Sequence, residues 1–402
     1  MSEDVREQRL FIEEICCNLL RFYHAQNDHV SPERISINQE VSLGIPGAFA
    51  DIRVKPPEAP PYFVEVKYGY PSEMVVAHMR RKYGCESAVT RDASRLVLVL
   101  DARSPDELAA IETELSRDVH HGLALEIWNE AKLLSLVREQ LSLQIDSFTS
   151  KDILDIRAAV DRAKGLYAFG DAFRNEPLQT ALLWHFGFWK LKQLREARGM
   201  SARDILPPGL YRAAVVLFAD LSSFSSFVRD TRDDAVIRHV LTSFYSKARN
   251  EVLNCGGMMY QFLGDGLIGL FGIPDGRQGF EQNALECARR LIDIGNSVSL
   301  EWQRSIDHVE SSGGAHIGMA LGDINVMSLR PFGRAHMGII AESVNLAARL
   351  TSAAEAGDIV VSNTLYRALP ETSQAALTEM EPVEARNIGR IRAWRLGGTR
   401  SD

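Results

Sequence analysis

Three groups of residues have types and spacings that could do chemistry. Asp220 closes the apolar run 213–219, and Asp265 sits in Gly264-Asp265-Gly266 between the strand-like runs 258–263 and 267–271. Two carboxylates on neighbouring strand ends can share divalent cations about 3.5–4 Å apart, the arrangement that polarises both oxygens of a phosphoryl displacement. Each also has a plain reading, because a carboxylate can simply end a strand and Asp-Gly is a common tight turn. After Asp220 comes Leu221-Ser222-Ser223-Phe224-Ser225-Ser226, a small polar turn whose backbone N–H groups could meet phosphate oxygens. Further on, Asn345 and Arg349 share one face of the helical stretch 342–350. An amide and a guanidinium together suit a ribose or a charge that grows in a transition state, or else form a solvated helix surface. In the N-terminal third, Asp51 lies on one strand pattern and Glu65-Val66-Lys67 on the next. Glu65 and Lys67 face the same side of a strand, and a hairpin can bring Asp51 beside them. That set could bind a divalent cation through two carboxylates while the lysine orients a water for phosphodiester attack.

The elements that must position these groups fall into three parts. Residues 1–145 alternate helical stretches (10–22, 74–83, 105–115) with strand patterns at 35–41, 49–54, 62–66, 95–100 and 123–128. This order implies an α/β domain with a mixed sheet. Residues 146–209 read as helical, with periodic apolar residues over 151–165 and 177–198 and a sharp end at Pro207-Pro208-Gly209. Such a joining segment is a spacer, a dimer contact or plain core. Residues 210–402 hold a strand ending at Asp220, a helix over 233–253, the acidic hairpin, a helix over 281–302, strands at 315–321 and 323–328, and a helix over 342–351. The sequence β-α-β-β-α-β is the ferredoxin-like α+β arrangement.

Composition sets the class. The chain has 402 residues, 46% hydrophobic and 24% charged, which excludes collagen-like, disordered and disulfide-scaffold proteins. A net charge of −8 advertises neither nucleic acid nor anionic membrane as a global partner. Five cysteines without framework spacing imply free thiols in a reducing compartment. No signal-peptide pattern opens the sequence, and the longest apolar runs, such as 96–100, suit buried strands and are too short to span a bilayer. The expectation is a soluble, cytoplasmic protein without membrane contact.

Phe218-Ala219-Asp220, Phe262-Leu263-Gly264-Asp265-Gly266 and Val344-Asn345-Leu346-Ala347-Ala348-Arg349-Leu350 together resemble the three signatures of class III nucleotidyl cyclases, in order and spacing, over about 210–396. The resemblance implies a homodimer whose two clefts are shared between protomers. Asp220, Asp265 and the Leu221 backbone would hold two Mn²⁺ or Mg²⁺ ions. Ser222, Ser223, Phe224 and Arg386 would meet the triphosphate of a nucleoside triphosphate substrate. Asn345 would orient the ribose, and Arg349 would stabilise charge on the α-phosphate while the 3′-oxygen displaces pyrophosphate.

The departures concern the base. Where the family places an adenine-reading Lys and an Asp or Thr, this sequence has Gln261 and Gly338, and the guanine-type Glu is absent too. Gln261 offers both a donor and an acceptor, as uracil or cytosine requires. Gly338 lets backbone approach the base, and His336 could face the same pocket. These selectors resemble those of the pyrimidine cyclases of bacterial Pycsar antiphage signalling, which make cyclic UMP or cyclic CMP for a separate cyclic-nucleotide-gated effector. An adenylate or guanylate cyclase with divergent base readers is the alternative. A triphosphate-contacting Arg is replaced by His316, which implies modest or Mn²⁺-dependent turnover.

The α-β-β-β-α-β order around Asp51, Glu65 and Lys67 resembles the PD-(D/E)xK restriction-endonuclease-like fold over about 5–140. Glu13 or Glu14 matches a frequent extra acidic position, and Arg80-Arg81-Lys82 could contact phosphates of nucleic acid. Three readings stand side by side: an active nuclease, a nucleic-acid or nucleotide sensor that regulates the cyclase, and a plain α/β domain. On the first, the whole chain would be a metal-dependent nuclease with a nucleotide-binding C-terminal domain.

Overall fold

The computed structural model describes residues 3–119, 122–169, 179–199, 202–231, 233–306, 313–329, 336–385 and 389–397. The chain divides into two units, 1–175 and 176–402. The helical stretch expected over 146–209 as one joining segment is therefore split between them.

In the first unit α1 (Glu3–Asn27) precedes β1 (Ser36–Ile45), β2 (Ala48–Lys55) and β3 (Tyr62–Val66). There follow α2 (Ser72–Tyr83), β4 (Arg95–Val99), α3 (Pro105–Asp118), β5 (Ala124–Trp128), α4 (Glu130–Leu141) and α5 (Ser150–Phe169). The strands lie in sequence order, antiparallel from β1 to β3 and parallel from β3 to β5. The mixed sheet anticipated from the pattern is present. The runs Tyr62–Val66 and Arg95–Val99 are apolar on both sides because helices cover both sheet faces. Phe11, Ile15 and Leu19 of α1, with Leu133 of α4 and Ile156 of α5, pack on Val64 and Val97. Val75 and Met79 of α2, with Ile111 and Leu115 of α3, pack on Phe63, Leu96 and Leu98.

In the second unit α6 (Gln179–Arg198) and α7 (Ala202–Ile205) lead into β6 (Gly209–Ser222). Helix α6 is interrupted at Gly187, where φ is 65°. The elements α8 (Phe224–Asp230), α9 (Asp234–Asn254), β7 (Met258–Leu263), β8 (Gly266–Phe271), α10 (Phe280–Ile306) and β9 (Gly314–Leu329) complete the core. Strand β6 lies between β8 and β9, all antiparallel, with β7 outside β8, so the split β-α-β-β-α-β order closes into one sheet. Strand β10 (His336–Ile340) pairs with the end of β9, and α11 (Glu342–Ser352) follows. Then come β11 (Ile359–Ser362), α12 (Asn363–Ala368), α13 (Glu371–Gln374), β12 (Thr378–Glu379), β13 (Val383–Ala385), β14 (Gly389–Ile391) and β15 (Ala393–Leu396). Strand β11 runs parallel beside β9, and β15 and β12 extend the sheet.

Where two strands were expected at 315–321 and 323–328, β9 is one continuous strand. Strand β6 pairs with it from Gly209↔Val326 to Ser222↔Gly314, and that long ladder carries it through Gly322. Alternation along β6 sorts its side chains. Val215, Leu217, Ala219 and Leu221 enter the core with Phe244 of α9 and Leu291 of α10, so Phe218 and Asp220 point to the opposite face.

Candidate active site of the C-terminal unit

Asp220 stands opposite His316 near the end of β6, and Asp265 occupies the turn between β7 and β8. Leu263 pairs with Gly266, leaving Gly264 and Asp265 as a two-residue loop, with Gly264 at φ 63° as such a turn demands. Gly266 has a separate task. A Cβ there would lie 2.8 Å from the Ala219 carbonyl and 2.9 Å from Asp220 Oδ1, so only glycine lets the hairpin close against the strand that carries the first carboxylate.

The fold holds the two acids close enough to repel each other. Burial and then the neighbouring Asp265 raise the Asp220 carboxyl to about 6, with the Leu221 backbone hydrogen bond opposing. The imidazole of His316 lies 3.8 Å from Asp220 Oδ2 through Nε2, and its Nδ1 is 2.8 Å from Ser222 Oγ. Burial lowers the His316 pKa, which favours the neutral ring, although Asp265 pulls the other way. Among the described residues no lysine or arginine pairs with Asp220 or Asp265. Two crowded carboxylates without a cationic partner fit divalent ions. Mg²⁺ in particular is commonly held by one or two carboxylates together with substrate phosphates.

The small polar turn is shorter than the sequence suggests. Ser222 still belongs to β6, Ser223 is left-handed at φ 60°, and α8 starts at Phe224. The Phe224 ring is buried, 6.0 Å from the Trp302 ring and 5.6 Å from that of Phe227, so only its backbone is available to a phosphate.

Helix α11 seats on the sheet through small residues. A Cβ on Gly318 would overlap the Thr351 amide nitrogen and the Ala347 carbonyl, and Ser343 presses close to Gly322. Thr351 Oγ1 donates to the Phe218 carbonyl at 3.3 Å and to Ala347 at 2.8 Å. Ser343, Ala347, Leu350 and Thr351 are thereby buried, while Glu342, Asn345 and Arg349 line the exposed face. Among the described residues neither the Asn345 nor the Arg349 side chain takes a hydrogen-bond or ion-pair partner. One chain thus assembles Asp220, Asp265, Ser222 and His316, and presents Asn345 and Arg349 outward.

The base-reading candidates lie on separate strands. Gln261 is exposed on β7, just after a bulge between Met259 and Gln261. Gly338 is buried on β10 opposite Met327, with His336 opposite Leu329. Arg386 lies outside the described residues.

In the first unit Asp51, Glu65 and Lys67 do converge. Lys67 Nζ donates to Asp51 Oδ2 and to Glu65 Oε2, each at 2.6 Å. Two residues that the sequence reading did not assign here join them: Lys82 Nζ at 2.6 Å from Glu65 Oε2 and Tyr83 Oη at 2.7 Å from Glu65 Oε1. The expected phosphate-binding trio on α2 is corrected accordingly. Lys82 turns inward, and Arg80 pairs with Asp118 at 2.6 Å. The helical stripe Val75–Met79–Lys82 is the signal that marks the inward face. Burial would raise the Asp51 carboxyl, but Lys67, Lys82 and Arg9 hold it well below the usual carboxylate range. Burial would likewise lower Lys67, yet Asp51 and Glu65 push it above the usual lysine value. Glu13 is buried against Arg9 at 3.2 Å, and Glu14 pairs with Arg157 at 3.3 Å.

Residues 207–398 match the adenylate and guanylate cyclase catalytic domain. The C-terminal half thus has the fold of that catalytic domain. Uncharacterized proteins of Mycobacterium tuberculosis and Mycobacterium bovis are each 28% identical to this chain over 177 residues, which is 44% of this chain and 31% of theirs. The match therefore spans about a third of the length of these curated relatives. Among solved structures, the guanylyl cyclase Cya2 and the adenylyl cyclase CyaB from P. aeruginosa each align at 22% identity and TM-score 0.41, over 48% of this chain and 98% of theirs. Among the described residues no helix is long and apolar enough to cross a membrane.

Proposed function

We propose that the C-terminal unit closes a nucleoside triphosphate to its 3′,5′-cyclic monophosphate and releases pyrophosphate, acting as a homodimer with two shared clefts. The observation that carries this reading is the Asp220–Asp265 pair, packed together by Gly266 with no lysine or arginine partner among the described residues. Asp220, Asp265 and the Leu221 carbonyl would hold two Mn²⁺ or Mg²⁺ ions, which when bound neutralise phosphate charge and ease ionisation of the 3′-hydroxyl. The backbone around Ser222, Ser223 and Phe224 borders the triphosphate, and Arg386 is the proposed cation for its far end. Asn345 and Arg349, on the outward face of α11, serve the opposite protomer's cleft. The amide holds the ribose, and the guanidinium takes up charge growing on the α-phosphate. The 3′-oxygen then attacks in line and pyrophosphate leaves from the far side.

Gln261 and Gly338 support a pyrimidine substrate, UTP or CTP, with His336 as a further contact. A glutamine can both donate to and accept from the edge of a pyrimidine, and neither Gln261 nor Gly338 offers adenine a charged donor or a carboxylate acceptor. The product would act through a separate cyclic-nucleotide-gated effector in antiphage signalling, with the cytoplasm as its setting. The N-terminal unit would be the regulatory sensor. A purine substrate is the second reading, favoured by the match to adenylate and guanylate cyclases. Incubation of the full chain with ATP, GTP, CTP or UTP and Mn²⁺, followed by mass spectrometry, tests both. Cyclic UMP or cyclic CMP is the expected product. ATP or GTP as the sole good substrate replaces the pyrimidine reading, and no cyclic product from any of the four removes the cyclase reading.

A further inference from the structure

The Asp51–Glu65 pair is of the type that holds a divalent cation for phosphodiester cleavage, and each of its four oxygens has a definite partner. Asp51 Oδ2 accepts from the Val66 amide at 2.8 Å and from Lys67 Nζ at 2.6 Å. Asp51 Oδ1 accepts from Lys82 Nζ at 3.3 Å. Glu65 Oε2 accepts from both ammonium groups at 2.6 Å, and Glu65 Oε1 accepts from the Tyr83 hydroxyl at 2.7 Å. Every carboxylate oxygen is engaged. Two acids and two lysines also bring the formal charge of the cluster to zero.

A bridging divalent ion does not fit this arrangement. Mg²⁺ requires oxygens at about 2.0–2.1 Å in octahedral order, and the ammonium of Lys82 stands between the two oxygens that would bridge it. Adding two positive charges to a neutral buried cluster would also leave them uncompensated. We propose that Lys82 is the tethered cation of this site: it replaces a divalent ion between Asp51 and Glu65 and fastens α2 to the β2–β3 hairpin, so that the first unit is not a cation-dependent nuclease. The two lysines differ in a way that matters. Lys67 is fixed on the chain leaving β3 with a side chain 6% exposed, whereas Lys82 reaches in from the last turn of α2 and is 16% exposed. Removing Lys82 alone leaves two carboxylates facing one ammonium, and a site for an ion opens.

Counting bound Mn²⁺ by the electron paramagnetic resonance of the free ion, on the full chain, tests the assignment. Lys82→Met is expected to bind one Mn²⁺ more per chain than the wild type, at least about tenfold more tightly than any wild-type binding at this site. Glu65→Gln in the Lys82→Met chain should abolish that extra ion. Mn²⁺ should also raise the melting temperature of Lys82→Met by a few degrees beyond its effect on the wild type. Should Lys82→Met fail to fold, Lys82→Gln is counted in the same way. A folded Lys82 variant with no extra ion overturns the proposal. So does a wild-type count that falls by one on Glu65→Gln, or Mn²⁺-dependent cleavage of DNA or RNA that Asp51→Ala abolishes. None of these readings depends on whether the C-terminal unit makes a cyclic nucleotide.

Discussion

The indole of Trp184 meets the ring of Phe262 edge-on, with centroids 5.7 Å apart and planes at 76°. Phe262 stacks on Tyr245 at 4.0 Å, and the Tyr245 hydroxyl donates to the carbonyl of Gly264, the residue before Asp265. Helix α6, which lies outside the catalytic core, thus reaches the acidic hairpin through three rings. Arg249 fastens its end of the chain, lying 5.1 Å over the indole and donating to the Leu183 and Trp184 carbonyls at 2.7 and 2.9 Å. Trp184→Ala is expected to cost about 1–2 kcal/mol, the worth of an aromatic pair plus a cation–π contact, and to lower kcat. Urea denaturation and steady-state cyclase assays measure the two effects separately. A loss of stability with kcat unchanged would show that α6 does not hold the hairpin.

Gly266→Ala should separate activity from folding. The added methyl would press on the Ala219 carbonyl and on Asp220 Oδ1, which shifts the two acids apart while leaving the hydrophobic core as it is. A displacement near 1 Å at reacting groups can cost about 10²-fold, so kcat should fall by at least that order while the circular dichroism spectrum is kept. Retention of full activity would remove Gly266 from the site.

Asp220→Asn should stabilise the metal-free protein at neutral pH. The folded carboxyl ionises near 6, above its unfolded value near 3.9, so the charged form is disfavoured in the fold once pH exceeds both. The gain from the amide should be about 1–2 kcal/mol at pH 8 after discounting for a side chain 34% exposed, and should vanish below about pH 4. Melting curves across pH for both chains, with chelator present, make the comparison. A constant difference at every pH would exclude ionisation as its origin.

Asp220→Ala and Arg349→Ala should each abolish cyclase activity, yet a mixture should regain some. Half the dimers formed at random from equal amounts are mixed, and each would keep one complete cleft of two, giving about a quarter of the wild-type rate. Absence of any recovery after dissociation and reassociation would argue against a cleft built from two chains.

What the sequence makes legible depends on how local the physics is. The strand that carries Asp220 and the turn that carries Asp265 are local facts; the strand runs two residues past Asp220 to Ser222, and the loop tightens to Gly264-Asp265 because Gly266 already pairs in β8. Helical spacing likewise puts Asn345 and Arg349 on one face, although only the packing of Gly318 against α11 reveals that this face is exposed. Helix α4 escapes a pattern reading because Asn129 caps it immediately after Trp128 of β5, without an intervening turn. Lys82 is misread from its basic neighbours Arg80 and Arg81, since its partner carboxylates lie 17 and 31 residues away. The continuity of β9 through Gly322 is equally non-local, because it rests on a ladder with β6 more than a hundred residues distant.

The absence of any side chain on Gly318 welds α11 to the sheet. With backbone resting on backbone, this helix lies closer to the sheet than any side chain would allow, so amide and guanidinium are carried on an element seated directly on β9. In the proposed dimer, tuning the output would then fall to the angle at which two whole bodies meet, as with the halves of a hinge whose knuckles are cast in one piece.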